Sequence, residues 1–280
     1  MNRSLNDGPI LFMTSDLRAS KVMPALATFA HTTGRGLEIL LRMPARTEPV
    51  IFKKRIEMHR ESLPDDLKQI PLEGLHPNEI APALQAHASN GGGIIALNPI
   101  RRGNPARMVF NNDYERLLID GPLPVLVLPR SGALGSIKRV LFPADLSPRS
   151  EAAFDQTIAL CQQVGAELHL LHVYGPDGLL PSEQDREQRL AAPTPRALFQ
   201  IDQDAMRRLA QRANEAGLTV TSANAEGRAH TQILAYSAAQ QIDLVVMATH
   251  GPRSADDILW GTTTHRVILA GTVAVLGVQA

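Results

Sequence analysis

Short apolar runs alternate along most of this chain with segments in which apolar residues recur at helical spacing. In the second half, runs with the length of buried strands occupy residues 139–143, 167–173, 219–223, 244–247 and 273–278. Segments with helical spacing separate them, at residues 150–164, 196–216, 230–240 and 262–270. Because strands and helices alternate, the pattern predicts an α/β fold with a doubly wound, mainly parallel sheet.

The first half of the chain is a less regular copy of the second. Residues 114–128 align with residues 265–278, and residues 10–17 align with residues 140–146. Its third strand can be placed only near residues 70–72. We therefore predict two tandem doubly wound domains, each a five-stranded mainly parallel sheet flanked by helices. Their predicted bounds are residues 1–129 and 138–280, and a linker containing Pro, Gly and Ser lies at residues 129–137.

The end of the strand at residues 244–247 carries the most specific pattern in the sequence. Ala248 and Gly251 follow it, and Gly261-Thr262 comes nine residues after Gly251 and opens the last helix. Glycines let a backbone approach phosphate oxygens, and the N–H groups at a helix start favour anions. The spacing matches neither the P-loop nor the G-x-G-x-x-G fingerprint. A plain glycine turn with Thr262 as a helix cap remains the alternative.

This spacing resembles the nucleotide loop of the universal stress protein family, G-x2-G-x9-G-(S/T), with Ala248 in place of the first glycine. The Pro-x-Asp sequence that ends at Asp145, and the His172-Val173 pair, also resemble the ends of that family's first two strands. The resemblance implies ATP or another adenine nucleotide as the ligand, with the presence of Mg²⁺ left open. It implies contacts from the following residues: Pro143, Ala144, Asp145, Val173, Met247, Ala248, His250, Gly251, Arg253, Gly261, Thr262 and Thr263.

Within that set, the resemblance assigns Asp145, Val173 and the Met247 backbone to the base, and the glycines and threonines to the phosphates. Asp145 has an alternative role as a turn or helix-capping residue. If the position of Ala248 requires a positive φ, alanine would cost roughly 1–2 kcal/mol there. The corresponding first-half positions are Asn98, Arg101, Asn111 and Asn112, which lack the glycines. We therefore expect one nucleotide site per chain, with the first domain as a structural partner.

The amino-acid composition excludes several classes of protein. Lys plus Arg and Asp plus Glu are balanced at 28 each, so no overall field recruits nucleic acid or a membrane surface. The single cysteine, Cys161, excludes an internal disulfide, and no apolar run is long enough to span a membrane. We expect a cytoplasmic protein. No catalytic or metal-binding constellation is present, so we expect at most slow ATP hydrolysis.

The leading hypothesis from the sequence is a nucleotide-binding stress-response or regulatory protein. The alternative is a family member that has lost the nucleotide and acts through protein–protein contacts with an unknown partner. By the same resemblance, residues 125–128 and 273–278 would pair within the chain and form an intramolecular pseudo-dimer. Association into a homodimer is left open.

Overall fold

The chain folds into alternating strands and helices on both sides of the predicted linker. The structure, a computed structural model, describes residues 8–15, 22–98, 123–147, 150–174, 195–249 and 262–279. The first half contains β1 (Ile10–Thr14), α1 (Val22–Thr32), β2 (Leu37–Arg42), α2 (Pro49–Glu61), β3 (Leu72–Leu75), α3 (Pro77–Ser89), β4 (Ile94–Leu97) and β5 (Val125–Val127). The second contains β6 (Arg139–Pro143), α4 (Ser150–Val164), β7 (Glu167–Tyr174), α5 (Pro195–Glu215), β8 (Val220–Glu226), α6 (Ala229–Ala239), β9 (Leu244–Thr249), α7 (Thr262–Ala270) and β10 (Ala274–Gln279).

The strands form one sheet of ten in the order β3-β2-β1-β4-β5-β10-β9-β6-β7-β8. Within each half the order is third, second, first, fourth, fifth, and all neighbours within a half are parallel. The predicted α/β class with a mainly parallel sheet is therefore confirmed. The shared strand order supports the predicted duplication, while the exact domain bounds stay a prediction.

The two halves meet through their last strands, which run antiparallel. Leu126 pairs with Leu276, Val127 with Val275, and Val125 with Gly277. In the repeat alignment Leu126 corresponds to Leu276, so this pair lies on a local two-fold relation between the halves. The pairing has the geometry of the intramolecular pseudo-dimer that was predicted.

Both faces of the sheet are covered, which explains why inner strands such as β1, β4 and β9 are nearly continuous apolar runs. One face packs against α1, α4 and α5, with Phe12, Phe142 and Leu276 in its core. The other face packs against α3, α6 and α7, with Leu11, Leu141 and Val275 in its core. Each core is continuous across both halves. No helix in the described part of the chain has the length and apolar character that crossing a membrane requires.

The third strand of the first half begins later than expected. The sequence placed it near residues 70–72, whereas β3 spans Leu72–Leu75. Pro71 lacks an N–H and precedes the strand, where its carbonyl oxygen accepts a hydrogen bond of 2.8 Å from the Ile39 N–H. Ile70 is partly buried against the core but lies outside the strand. The apolar character of Ile70 therefore reflects its packing against the core and not its participation in a strand.

Candidate functional site

The strand order reverses between β6 and β9 in the second half. From β6 the chain continues through α4 to β7 on one side, whereas β9 pairs with β6 on the other side. Ligands of doubly wound sheets bind at such a switch point, at the carboxyl ends of the strands. The residues that follow β6 and those that end β7 and β9 should therefore share one crevice.

A cavity of about 190 Å³ lies at this point. Predicted site residues that line it are Pro143, Ala144, Asp145, Val173, Met247, Ala248 and Thr263. The remaining wall consists of Ser150, Leu171, Ala229, Ile233 and Thr264. Of the other predicted residues, His250, Gly251, Arg253 and Gly261 lie outside the described part of the chain, and Thr262 is the first residue of α7. Three separate stretches of sequence thus converge on one cavity.

The inner wall of the cavity is apolar. Leu171 and Ile233 are each only 1% exposed, and Met247 is 6% exposed. Val173 continues this surface toward the opening, where it is half-buried. Typical small-molecule sites measure roughly 300–1000 Å³, and the cavity that the described residues line is smaller than that.

Asp145 belongs to a tight turn at the edge of the cavity. Its Oδ1 accepts hydrogen bonds from the Ser147 N–H (3.0 Å) and from the Ser147 hydroxyl (2.8 Å). Leu146, between them, adopts a φ of 58° in the left-handed region, a conformation that costs about 1–2 kcal/mol. Asp145 therefore does stabilise a turn, as the alternative from the sequence proposed. However, Oδ2 accepts no hydrogen bond from any described residue, and the side chain is exposed and can still meet a ligand.

His172 supports the edge of the cavity from the other face of the sheet. Its Nδ1 lies 2.8 Å from the Ala144 carbonyl oxygen, which makes Nδ1 the donor, and its Nε2 lies 3.6 Å from Asp202 Oδ2. The ring also packs edge-on against Tyr174. Both ring nitrogens of His172 therefore have a polar group of the protein nearby, a hydrogen-bonded carbonyl oxygen at Nδ1 and a carboxylate at Nε2. His172 connects β7 and α5 to the residue before Asp145.

Several helices begin at the cavity. Ser150 opens α4, Ala229 opens α6, and Thr263 and Thr264 lie in the first turn of α7. The N-terminal end of a helix carries unpaired N–H groups and a partial positive charge. The cavity therefore combines an apolar wall with an opening that favours negatively charged groups.

Ala248 lies inside β9, where it pairs with Val278, and its φ is not in the left-handed region. The cost of 1–2 kcal/mol that a positive φ would impose on alanine therefore does not arise here. In this chain the departure from the glycine motif is compatible with a regular strand end. Ala248 lines the cavity, and its side chain packs against the core on the α4 side of the sheet.

The corresponding edge of the first half is lined by arginine. Arg42 ends β2 at the position that Val173 occupies in β7, and its Nε is buried. Arg55 Nη2 lies 3.4 Å from the Ser15 carbonyl oxygen just after β1. Asn98 follows β4 where Ala248 extends β9, and Arg101, Asn111 and Asn112 lie outside the described residues. These long side chains favour the expectation that only the second half holds a ligand.

Sequence reasoning did not single out the contribution of α6. Ala229 and Ile233 are four residues apart, so they lie on one face of this helix and both reach the cavity. The helical spacing was visible in the sequence, but the position of α6 over the strand ends depends on tertiary packing. Within the described ranges, no group of three or more His, Cys, Asp or Glu side chains is placed to hold a metal ion.

Comparisons with known proteins identify the family and support the fold. The family model described as the universal stress protein family matches residues 136–279. Universal stress protein MJ0577 from Methanocaldococcus jannaschii is 25% identical over 157 residues, which cover 51% of this chain and 94% of that protein. Universal stress protein MJ0531 from the same organism is 27% identical over 144 residues, which cover 51% of this chain and 82% of that protein.

Solved structures match over almost the whole length. A universal stress protein from Archaeoglobus fulgidus is 19% identical with a TM-score of 0.68, covering 98% of both chains. The functionally unknown protein PA1789 from Pseudomonas aeruginosa is 16% identical with a TM-score of 0.66, covering 98% of this chain and 92% of that one. These two likenesses concern the fold. The family model, which spans just over half of the sequence, shows that this chain belongs to the universal stress protein family.

Proposed function

We propose that this protein binds an adenine nucleotide, ATP in the first instance, in the cavity at the ends of β6, β7 and β9. In this proposal it acts as a stress-response or regulatory protein whose ligand occupancy biases its contacts with partners. The first half serves as a structural partner without a site of its own. One observation carries the proposal: residues from three distant stretches, chosen from their sequence motifs alone, line a single cavity.

The chemistry of the cavity fits the parts of an adenine nucleotide. Leu171, Val173 and Ile233 offer an apolar surface to the base. Oδ2 of Asp145 can accept a hydrogen bond from the adenine amino group or from a ribose hydroxyl. The start of α7, near Thr263, attracts phosphate through its N–H groups and its dipole.

A second candidate function is that of a family member that works through protein contacts without a nucleotide. It is favoured by Ala248, which replaces a glycine of the family motif. However, Ala248 does not have a positive φ, so replacing the glycine causes no backbone strain that would prevent nucleotide binding. Chromatography of the supernatant after denaturing the purified protein distinguishes the two, because a bound adenine nucleotide would be released intact.

Direct binding provides the main test. Isothermal titration of the full chain with adenosine and with ATP should give one site per chain. Val173→Arg, which imitates Arg42 in the first half, should fill the cavity and remove binding of both ligands. Val220→Arg on β8 is a matched control, because Val220 is also half-buried but lies at the opposite end of its strand from the cavity. Two equivalent sites, or unchanged binding by Val173→Arg, would contradict the proposal.

A further inference from the structure

Basic side chains flank the cavity at the junction of α6 and α7. Arg228 and His230 stand on either side of Ala229, which lines the cavity. Arg266 follows Thr263, another lining residue, by one helical turn in α7, so the two share one face of that helix. Helices α6 and α7 pack against each other, and the charges of Arg266 and Arg228 act on His230. These three basic residues, here called the basic rim, therefore lie near one another and next to residues that line the cavity.

Within the described part of the chain, no carboxylate forms an ion pair with the arginines of the basic rim. Both of these arginines, Arg228 and Arg266, are exposed. The pKa of His230 is lowered by partial burial and by the positive charges of Arg266 and Arg228, so both arginines lie close enough to interact electrostatically with His230. The acid nearest in sequence, Glu226, is exposed at the end of β8. The chain as a whole has balanced charge, whereas Arg228 and Arg266 are two unpaired positive charges among the described residues of these helices.

We propose that the basic rim binds phosphate groups of the nucleotide, so that the site selects adenosine polyphosphates over adenosine. The inference rests on the proposed function, because it assumes that the base occupies the neighbouring cavity. Two guanidinium groups can each bind phosphate oxygens through paired N–H donors. The start of α6 adds its own unpaired N–H groups on the same side. An anionic ligand would also offset the repulsion between the charges of Arg228 and Arg266.

This arrangement has a spectroscopic consequence at His230. In the free protein, partial burial and then the neighbouring charges of Arg266 and Arg228 disfavour the protonated form of His230, which lowers its pKa. A bound polyphosphate reverses the sign of the local field and should raise that pKa. Bound adenosine, which carries no phosphate, should leave it unchanged. If the basic rim were only solvated and did not contact phosphate, the pKa of His230 would be the same with ATP and with adenosine bound.

The experiment compares ligands on the full chain in the presence of a metal chelator. Isothermal titration measures adenosine and ATP affinity for the wild type and for the double variant Arg228→Gln/Arg266→Gln. Arg208→Gln on α5 is the control, because it is another exposed arginine of the same half but lies on a helix that packs against the opposite face of the sheet. A histidine NMR titration, with His230→Gln to assign the resonance, follows the pKa with each ligand.

We expect the double variant to lose about tenfold or more in ATP affinity, as the loss of charged hydrogen bonds implies, while its adenosine affinity stays unchanged. The control should bind both ligands as the wild type does. If ATP binding is unchanged in the double variant and His230 does not respond to ATP, the basic rim is overturned while the proposed nucleotide site stands. If the wild type binds neither adenosine nor ATP, both the proposed function and this inference fail.

Discussion

Replacing Asp145 by asparagine separates its two roles, as a turn residue and as a ligand contact. The asparagine side-chain oxygen can still accept the hydrogen bonds that Ser147 donates from its N–H and its hydroxyl. The turn, including the strained Leu146, should therefore remain. What disappears is the negative charge and the acceptor at Oδ2, which no described residue uses.

The expected magnitudes follow from these contacts. A hydrogen bond to a charged group contributes about 1.5–3 kcal/mol, so Asp145→Asn should weaken adenosine binding by roughly tenfold to 150-fold. Its free energy of unfolding should change by no more than about 0.5 kcal/mol, as is usual for exposed substitutions. Asp145→Ala loses the turn hydrogen bonds as well, and should lower the free energy of unfolding by about 1 kcal/mol.

Calorimetric titration with adenosine, combined with urea unfolding, measures both quantities on the same samples. Ser147→Ala provides the control, since it removes one hydrogen bond of the turn and leaves the Asp145 carboxylate in place. Its adenosine affinity should equal that of the wild type. If Asp145→Asn binds adenosine as tightly as the wild type does, the carboxylate serves the turn alone and the assignment of Asp145 to the ligand is refuted.

Other parts of the molecule give further predictions. Burial raises the pKa of the Cys161 thiol to about 12, so an aromatic disulfide reagent should modify it only as the chain unfolds; prompt labelling of the native protein would contradict this. Burial lowers the pKa of His169 below 6.5, so the unfolded chain takes up this proton first and stability should fall as the pH drops below about 6.5. His169→Gln should reduce that loss in urea titrations at pH 5 to 7, and an unchanged pH profile would count against it. Leu126 and Leu276 are fully buried and paired, so each change to alanine should cost about 2–5 kcal/mol. Their effects should be non-additive by at least about 0.5 kcal/mol within one unfolding transition, and strict additivity would argue against the pairing.

The inner strands of the second half, such as β6 and β9, could be predicted from sequence because they are buried on both faces. Burial leaves little choice but apolar residues, so β6 was located at Arg139–Pro143 without error. The candidate site residues at the strand ends could also be predicted from the sequence, because polar or small residues interrupt the apolar runs there. Asp145 and Ala248 are examples, and both line the cavity.

Other features depended on contacts that a single sequence does not display. Ile233 has the same apolar character as any core residue, and only the placement of α6 brings it to the cavity. Leu146 gives no sign in the sequence of its positive φ, because the turn around Asp145 imposes it. The basic rim likewise joins α6 and α7 residues that are far apart along the chain, and their proximity is a property of helix packing.

The antiparallel contact of β5 and β10 joins two halves that one polypeptide carries. Because the connecting segment keeps the partners at a high effective concentration, dilution cannot separate them as it separates two subunits. The halves are then free to differ in the demands placed on them. In the proposed function, the first half need preserve only its shape and its pairing with β10, while the second half binds the ligand.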